Sequence, residues 1–563
     1  MSVLDTTGPG HLCVEVALRV VDLETAHAGS PAHTPCFLRD VGVLRPVCVV
    51  AAVASRRMTE ANSEAREWML TWTRSGIRPP DMFHPLADEY ADIDDLERAL
   101  DIPVGTPVLI NPDGGCDIAM SEFFRSPHFN RLRPSSKKSY ALDLRLWVEY
   151  LDSRAKTWRE ADPDDVSRFW LWRSRSDLNP NSVGGSKANR ELAAITLLYR
   201  WASHPSRGHV PFNPIERETL HLRDGGVIDA RVVRSTNVVG ERVKWLTPRT
   251  FRLWRDVGID GYTTEGLRDE AFRGRTALRN KAMVELLYGS GLRVQEAGSL
   301  LIPEVPPPGP AGAFNEAHLP ASIAKGGRSR VFYVLDDALA LVNSYIATSR
   351  RMAVERARKS GRYKDVLTVE VTDMQVTTAS VKFRYNDAWH HHDNIEIAVR
   401  RSMFIDTEDG CEPLWLWLNE AGLPMLKDTW TDVFDTANDR VTAIFDRARE
   451  TGTIHRNVRA PRLSPHSLRH SFALYMLIAL HRSIDARLGT GRTVDYNEER
   501  YRTAWEIVRD LLGHRSVTTT RERYLAPLNG VKLQSLVDGP DLQRALRGLA
   551  MLDSRVVDVE VNR

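Results

Sequence analysis

The sequence predicts a mainly helical protein with small β-sheets (an α+β fold) built from several domains. Its 563 residues exceed what one hydrophobic core usually organises, so about three or four domains are expected. Leu144, Trp147 and Leu151 recur at helical spacing, which places them on one face of an amphipathic helix. Further along the chain, residues 329–334 combine β-branched and aromatic residues in a short run that is typical of a strand.

The first part of the chain, residues 1–115, is expected to form an accessory domain of mixed α/β structure. Residues 13–21 and 47–53 are apolar runs typical of strands. The Asn-Pro-Asp-Gly-Gly segment that begins at Asn111 predicts a turn. No residue pattern in this part indicates a chemical function.

Residues 118–215 are expected to form a small helical domain with a basic character. Leu192, Ile195 and Tyr199 predict a second amphipathic helix, and the serines from Ser135 onward offer a hydroxyl to cap the helix that contains Trp147. Residues 121–160 hold nine Lys and Arg against five Asp and Glu. Basic side chains here could contact phosphate or simply form a solvated helix face. The candidate contacts are Lys137, Lys138, Lys187 and Arg190.

The remaining boundaries follow from composition and from the helical patterns. A linker is expected between the helical domain and a larger C-terminal domain that begins near Leu246-Thr-Pro. The expected bounds are 216–245 for the linker, 246–540 for the large domain with insertions near 336–455 and 481–503, and 541–563 for a polar tail.

Composition excludes several classes of protein. The five cysteines are scattered with neither disulfide-framework nor zinc spacing, which favours a reducing compartment. No apolar run is long enough to cross a membrane, and the N-terminus lacks a signal-peptide pattern, so a soluble, intracellular protein without membrane contact is expected. The net charge of +2 does not by itself indicate a nucleic-acid binder.

Six residues in the C-terminal half stand in local contexts that suit phosphoryl transfer. One arginine follows an apolar helix in Gly-Leu-Arg-Val-Gln-Glu, and a lysine lies in a Lys-Gly-Gly turn before the strand. A histidine and an arginine open a helix in Pro-His-Ser-Leu-Arg-His, a second histidine follows Leu-Leu-Gly, and a tyrosine comes ten residues later. These residues are Arg293, Lys325, His466, Arg469, His514 and Tyr524.

The His-x-x-Arg spacing alone is weak evidence, because His128/Arg131 and His204/Arg207 share it. The order of all four local patterns is much harder to obtain by chance. Together they resemble the tyrosine recombinase (phage integrase) family, whose catalytic domain carries Arg-Lys-His-Arg-His-Tyr in this order. Residues 118–215 likewise resemble the helical core-binding domain with which that family clasps DNA, although a generic helical bundle would show the same diffuse pattern.

The resemblance implies a role for each site residue. Arg293 and Arg469 would each fork onto a non-bridging oxygen of the scissile phosphate. Tyr524 would be the nucleophile, Lys325 the general acid for the leaving 5′ oxygen, and His466 an aid to proton transfer near the tyrosine. His514 would hydrogen-bond the phosphate, and Glu296, three residues after Arg293, would support the arrangement from behind.

The resemblance also implies the reaction and the partners. Double-stranded DNA would be cut and rejoined through a 3′-phosphotyrosyl intermediate without cofactor, metal or ATP. Strand exchange would use four protomers and a Holliday junction, with the need for accessory proteins left open. Large size and insertions favour an integrase or transposase of a mobile genetic element over a compact chromosome resolvase.

Departures from the family pattern leave two alternatives open. Tyr524 is ten residues after His514, one more than the family usually has, so a catalytically impaired DNA-binding regulator or partner subunit with the same fold is one alternative. A type IB topoisomerase, which shares the chemistry, is the other. The His-His-His-Asp run that begins at His390 also suggests a metal site, but adjacent histidines point in different directions, and no metal is expected there.

Overall fold

The computed structural model of the chain divides into two units, residues 1–239 and 240–563, which are described separately. Three of the expectations fall outside the described part of the chain. They are the strands at 13–21 and 47–53, the expected nucleophile Tyr524, and most of the tail after residue 540. The residues that the structure describes are 67–73, 102–175, 177–221, 227–234, 244–309, 314–366, 368–377, 380–488, 499, 501–521 and 555–559.

The described part of the first unit is mainly helical, as predicted for residues 118–215. Several of its helices begin with proline at the first helical position, where the missing N–H is not needed. Asp162 accepts a hydrogen bond from the backbone N–H of Asp165, and Asp165 returns one, which closes a capping box. The helices are α1 (Ile118–Arg125), α2 (Pro127–Asn130), α3 (Pro134–Asp152), α4 (Pro163–Ser174) and α5 (Gly185–Ala202).

The core of this unit lies between α3, α4 and α5. Leu144, Trp147 and Leu151 are fully buried, which confirms the helical face predicted from their spacing. The Trp147 indole donates to the Tyr199 hydroxyl at 3.1 Å, and that hydroxyl donates to the Trp158 carbonyl at 2.6 Å. The two buried aromatic side chains therefore keep their polar atoms satisfied.

The predicted start of α3 is wrong by about one turn. The helix already begins at Pro134, and its N-cap residue Arg133 makes no side-chain cap. Ser135 therefore lies inside the first turn and does not cap the helix. Proline at the first helical position fixes the backbone there without a capping hydroxyl.

Two pairs of strands complete the described part of the first unit. Asn111, just after the second strand, accepts hydrogen bonds from the backbone N–H groups of Asp113 and Gly115, which confirms the predicted turn. Both pairs are antiparallel two-stranded sheets. Their strands are β1 (Met69–Trp72) with β2 (Pro107–Ile110), and β3 (Arg217–His221) with β4 (Val227–Arg231).

The second unit holds the longer helices. Two of them end at glycines in the left-handed conformation, Gly291 and Gly513. Among the described residues, no helix is long and apolar enough to cross a membrane. The helices are α6 (Pro248–Gly258), α7 (Ala277–Ser290), α8 (Val294–Gly298), α9 (Asp336–Tyr345), α10 (Arg351–Lys359), α11 (Ile397–Ser402), α12 (Lys427–Glu450), α13 (Pro465–Leu488), α14 (Arg502–Leu512) and α15 (Val517–Thr519).

Small sheets surround these helices. The antiparallel pair β6–β7 confirms the strand predicted after Lys325 and places that lysine in the turn between the two strands. Two three-stranded sheets have the orders β11-β10-β9 and β13-β12-β8. The strands are β5 (Trp245–Leu246), β6 (Phe314–Leu319), β7 (Arg330–Leu335), β8 (Val369–Glu370), β9 (Asp373–Val376), β10 (Val381–Tyr385), β11 (Ala388–His391), β12 (Met403–Thr407), β13 (Gly410–Pro413) and β14 (Val556–Val557).

The main core of the second unit contains residues from inside and from outside the expected insertion at 336–455. Helix α12 packs on α6, where the Trp254 indole donates to the Asn438 side chain at 3.0 Å. Trp417 is fully buried and donates to the Ala297 carbonyl at 2.8 Å. Residues 336–455, which were expected to be an insertion, are therefore folded into the same hydrophobic core as the helices that carry the candidate site.

A short parallel sheet joins the two ends of the second unit. Strand β14 pairs with β5, so that Val556 lies beside Trp245. The Thr247 hydroxyl is 2.6 Å from the Asp558 carboxylate, and the Val559 N–H donates to the Thr250 hydroxyl. Residues 555–559, within the expected tail, thus pack against the start of their own unit.

Candidate active site

Glu296 in helix α8 is the centre of the site. Its side chain is 1% exposed and lies 2.8 Å from Nη1 of Arg293 and 2.6 Å from Nη2 of Arg330. The same carboxylate accepts the backbone N–H of Arg293 at 2.9 Å and that of Lys325 at 3.2 Å. One buried carboxylate therefore orients two guanidiniums and fixes the start of the lysine turn, which gives Glu296 the supporting place expected from the sequence.

The charges around Glu296 are strongly unbalanced. Burial alone would raise the pKa of its carboxyl, but Arg330, Arg469 and Arg293 outweigh burial and hold this pKa at about 2. The carboxylate is therefore ionised at any neutral pH. Three guanidiniums against one carboxylate leave two positive charges in excess, and such an excess in a partly buried place favours an anion.

Arg469 ties three segments of the unit together from helix α13. Its side chain is fully buried, and Nη1 lies 3.9 Å from the Glu296 carboxylate. Its guanidinium donates to the carbonyl of Gly291, just after α7, and to that of Leu512, at the end of α14. The orientation of this arginine is therefore set by the backbone on both sides of the site.

Gly291 shows how closely these segments approach each other. Its φ of +65° lies in the left-handed region, and a Cβ built on it would stand 2.2 Å from Cδ1 of Phe472. We expect Gly291→Ala to lower the free energy of unfolding by about 1–3 kcal/mol, because the added methyl forces Phe472 aside and the backbone is strained. Chemical denaturation of the purified variant measures this loss.

Gly452→Ala is the matched control for this prediction. Gly452 also has a positive φ, +74°, but a Cβ there meets open space. It therefore carries the backbone strain without the clash. Equal losses in the two variants would show that the contact with Phe472 contributes nothing.

His514 follows the carboxyl end of α14 and is held there by two of the arginines. Nε of Arg330 donates to the Leu511 carbonyl at 3.2 Å, and Arg469 donates to that of Leu512. Gly513, with a φ of +62°, then turns the chain so that His514 faces the cluster. Burial and the positive charges of Arg469, Arg293 and Arg330 lower the pKa of His514 to about 3. The imidazole is therefore neutral at physiological pH.

These two shifted groups predict how stability depends on pH. In the unfolded chain His514 binds a proton below its ordinary pKa of 6.5, whereas in the folded chain it does so only below a pKa of about 3. The free energy of unfolding therefore falls as the pH drops from 6.5 towards 3. Glu296 adds a second loss, which begins near its ordinary pKa of 4.5 and continues to about 2. Each proton contributes a slope of at most about 1.4 kcal/mol per pH unit. Urea titrations from pH 7 to pH 4 measure the upper window.

His514→Gln serves as the reference for that titration. It removes the histidine proton but leaves Glu296 in place, so the variant should lose less stability between pH 6.5 and pH 4.5 than the wild-type chain. Parallel curves for the two proteins in this range would contradict the pH prediction for His514.

Lys325 and His466 lie on the exposed side of the cluster. The Lys325 side chain is exposed in the turn between β6 and β7, while its backbone N–H bonds to Glu296. His466 is exposed at the start of α13, with its ring 4.6 Å from that of the buried His470. His466 also contributes to the lowered pKa of His514, which places the two rings close together. Five of the six predicted residues therefore converge on one region, and Tyr524 lies outside the described residues.

Arg330 is a site residue to which the sequence assigned no role. It begins strand β7 with its side chain 10% exposed, and it bonds both Glu296 and the Leu511 carbonyl. A charged residue at the first position of an otherwise apolar strand was the available signal. That signal does not say which carboxylate the arginine meets, because Glu296 lies on a different element.

The four candidate DNA contacts lie in the first unit and differ in their exposure and in their side-chain hydrogen bonds. Lys138 and Lys187 are exposed. Lys137 donates to the Asn130 side chain at 2.9 Å, and Arg190 makes a two-pronged bond to Asp143 at 2.9 and 3.0 Å. The role of these residues in binding DNA stays a prediction.

A second polar cluster lies within residues 336–455, the expected insertion. Candidate ligand atoms of His391, His392 and Asp393 all lie within 4.8 Å of one another, so these neighbouring side chains converge although the sequence suggested that they diverge. The buried His392 is 3.3 Å from Glu304, which also pairs with the buried Arg400. These contacts anchor β11 to the core, and the expectation of no metal stays a prediction.

Comparison with known proteins identifies the architecture. The model of the phage integrase N-terminal SAM-like domain matches residues 129–205, and that of the phage integrase family matches residues 264–481. The second match includes Arg293, Lys325 and the His466–Arg469 pair. The chain belongs to the phage integrase family of tyrosine recombinases. The family match ends before His514, in the part where the spacing departs from the family pattern.

The curated relatives of this family member are bacterial. It is 27% identical over 230 residues to the tyrosine recombinase XerC of Roseiflexus castenholzii (strain DSM 13941 / HLO8), a match that covers 41% of this chain and 59% of the relative. It is 26% identical over 228 residues to the tyrosine recombinase XerD of Mycobacterium tuberculosis (strain ATCC 25618 / H37Rv), covering 39% and 61%. The chain thus spans about three fifths of the length of these relatives.

Solved structures of recombinases also align with this family member. The crystal structure of the XerH site-specific recombinase, bound to a palindromic difH substrate in a post-cleavage complex, covers 77% of this chain and 83% of its own. The identity is 13% and the TM-score 0.37.

Proposed function

We propose that this chain is a site-specific DNA recombinase that cuts and rejoins DNA strands through a covalent phosphotyrosine. The observation that carries the proposal is the Glu296 cluster, in which one carboxylate orients Arg293 and Arg330 and lies 3.9 Å from Arg469. Its net positive charge suits a phosphodiester. Family membership supports the same reaction.

The first chemical task is to stabilise the phosphate as it is attacked. Arg293 and Arg469 are rigidly held, Arg293 by Glu296 and Arg469 by two backbone carbonyls. Donors fixed before the reaction need no reorganisation when charge develops on the phosphate oxygens, which is how such groups lower a barrier. Neutral His514 adds a hydrogen bond without adding charge.

The second task is the exchange of bonds at phosphorus. The Tyr524 hydroxyl loses its proton, with His466 as the assisting group, and its oxygen forms a new bond to phosphorus. The bond from phosphorus to the 5′ oxygen breaks, and that oxygen takes a proton from the Lys325 ammonium. The exposed position of Lys325 on a turn suits a group that must reach the DNA. A 5′ hydroxyl then reverses the step, so that neither ATP nor metal enters the balance.

The helical first unit supplies contacts to the DNA backbone in this proposal. Besides exposed Lys138 and Lys187, it groups several cations around His128. Burial, Arg207 and Arg131 lower the pKa of His128, which places these guanidiniums close to it. Such a basic group favours phosphate contacts that position the protein without reading sequence.

The wider biological role follows the family. We propose that four protomers assemble on two duplexes, exchange strands through a Holliday junction, and act in the cytoplasm of a prokaryote as the integrase or transposase of a mobile element. The large added segment between Lys325 and His466 supports this role over that of a compact chromosome resolvase.

The test is covalent trapping on nicked DNA. Duplexes that bind the chain are enriched from a randomised pool, rebuilt with a nick beside each candidate phosphodiester, and incubated with the chain in EDTA without ATP. Because the short fragment diffuses away, a recombinase accumulates as a protein–DNA band on a denaturing gel. Binding without any covalent band would favour the catalytically impaired regulator instead. Relaxation of a supercoiled plasmid with no junction formed between two duplexes would favour the topoisomerase.

A further inference from the structure

Thr520 contacts His514 from the turn that follows helix α15. Its side chain is fully buried, and its hydroxyl oxygen lies 2.9 Å from Nδ1 of His514. Ser516 caps α15 by accepting the Thr519 N–H, which fixes the turn that delivers Thr520. The contact closes a loop of six residues, so the imidazole is held from its own chain as well as by the arginines.

The direction of this hydrogen bond follows from burial. Among the described residues, Nδ1 of His514 is the hydrogen-bond partner of the Thr520 hydroxyl. A buried hydroxyl that fails to donate has given up its hydrogen bonds to water without a replacement, which destabilises the fold. The arrangement that satisfies both groups has Thr520 donating its hydrogen to Nδ1, and a neutral imidazole that accepts at Nδ1 carries its proton on Nε2.

The neutrality of the ring makes this choice consequential. Burial and the guanidiniums of Arg469, Arg293 and Arg330 hold the pKa of His514 far below its usual range, so the ring is uncharged at neutral pH. A charged imidazole would donate from both nitrogens whatever its neighbours did, but a neutral one donates from one nitrogen only. The other tautomer would present a lone pair to an anionic phosphate oxygen and would repel it.

We propose that Thr520 is a positioning residue that fixes the tautomer of His514, so that its Nε2–H can donate to an oxygen of the scissile phosphate. This inference rests on the proposed recombinase function, and it assigns Thr520 a role that acts through His514. The hydroxyl matters because it donates a hydrogen bond, not because of its volume.

The tautomer is measured directly by ¹⁵N NMR of histidine-labelled protein without DNA, with His514→Gln used to assign the signal. We expect the wild-type ring and Thr520→Ser to carry the proton on Nε2. Thr520→Val keeps the shape but removes the donor, so the signal should shift towards the other tautomer. Thr519→Val is the matched control, because Thr519 lies beside Thr520 but is paired with Ser516. A wild-type ring protonated on Nδ1 would overturn the proposal.

The consequence for cleavage is measured with the nicked duplex. We expect Thr520→Val to form the covalent band about tenfold to a hundredfold more slowly while binding DNA as tightly as the wild type. Thr520→Ser and Thr519→Val should stay near the wild-type rate. A Thr520→Val variant that shifts the tautomer but cleaves normally would refute the catalytic part. If the wild type forms no adduct, the recombinase function fails with this catalytic part, whereas the NMR result still decides the hydrogen bond.

Discussion

Replacing Tyr524 with phenylalanine is expected to abolish the covalent protein–DNA adduct and to leave DNA binding intact. The phenol oxygen is the atom that bonds to phosphorus in the proposed reaction, and its ordinary pKa near 10 matches a nucleophile that needs help to lose its proton. Phenylalanine has the same ring without that atom. The guanidiniums that bind the phosphate are untouched, so the nicked duplex should bind with unchanged affinity while adduct formation falls by at least about a thousandfold.

Tyr501→Phe is the control for this substitution. Tyr501 precedes α14 in the same unit, is 7% exposed and stacks on His481 at 4.2 Å between ring centroids. Its replacement also removes one phenol oxygen, so it reports any general effect of that loss. Adducts that persist in Tyr524→Phe would assign the nucleophile to another tyrosine. They would also mean that Tyr524, ten residues after His514, does not correspond to the family's catalytic tyrosine.

Replacing Glu296 with alanine is expected to cause the largest loss of stability among the site substitutions, about 3–5 kcal/mol. The carboxylate is 1% exposed and compensates Arg293, Arg330 and the fully buried Arg469. Its removal leaves these charges to repel each other where water cannot screen them. The loss should appear as a lower denaturation midpoint of the second unit, and cleavage of the nicked duplex should fall with it because Arg293 loses the carboxylate that orients it.

Glu506→Ala and Glu296→Gln make that prediction specific. Glu506 forms an exposed pair with Arg502 on α14, which should contribute less than about 1 kcal/mol. Glu296→Gln keeps one acceptor oxygen but removes the charge, so its stability should lie between that of the alanine variant and that of the wild type. If Glu296→Ala were as mild as Glu506→Ala, the cluster would not depend on its carboxylate.

Elements with strong local signals were predicted well. Leu144 and Trp147 lie on the buried face that their spacing indicated, and the turn predicted from Asn111 onward is present. Helical periodicity and a turn sequence are encoded within a few residues. The position of Lys325 in the turn before β7 follows from the same kind of local pattern.

Contacts between distant segments were not predictable in the same way. The bond from Arg330 to Glu296 and that from Arg469 to the Leu512 carbonyl join elements that are far apart in the chain. Nothing in the local sequence of Arg330 distinguishes an arginine that meets a carboxylate from one that faces water. The residue types of the site could be found from the motifs, but the network that orients them required the fold.

The cap of α3 and the expected tail show two further limits. Ser135 was a plausible cap by residue type, yet Pro134 already begins the helix. Residues 541–563 were expected to form a polar tail, but within them Val556 pairs with Trp245 of the same unit. A two-residue strand has too little pattern to be recognised without its partner.

The pairing of β14 with β5 determines when the second unit can finish folding during synthesis. Strand β5 can pair with β14 only after residues 555–559 have been synthesised and have left the ribosome. The second unit, which carries the guanidiniums, therefore cannot complete its folding before then. The helical first unit has its whole sequence available long before. A nascent chain therefore completes its second unit last, and a message truncated before Arg555 would yield a product with its first unit but without the strand that pairs with β5.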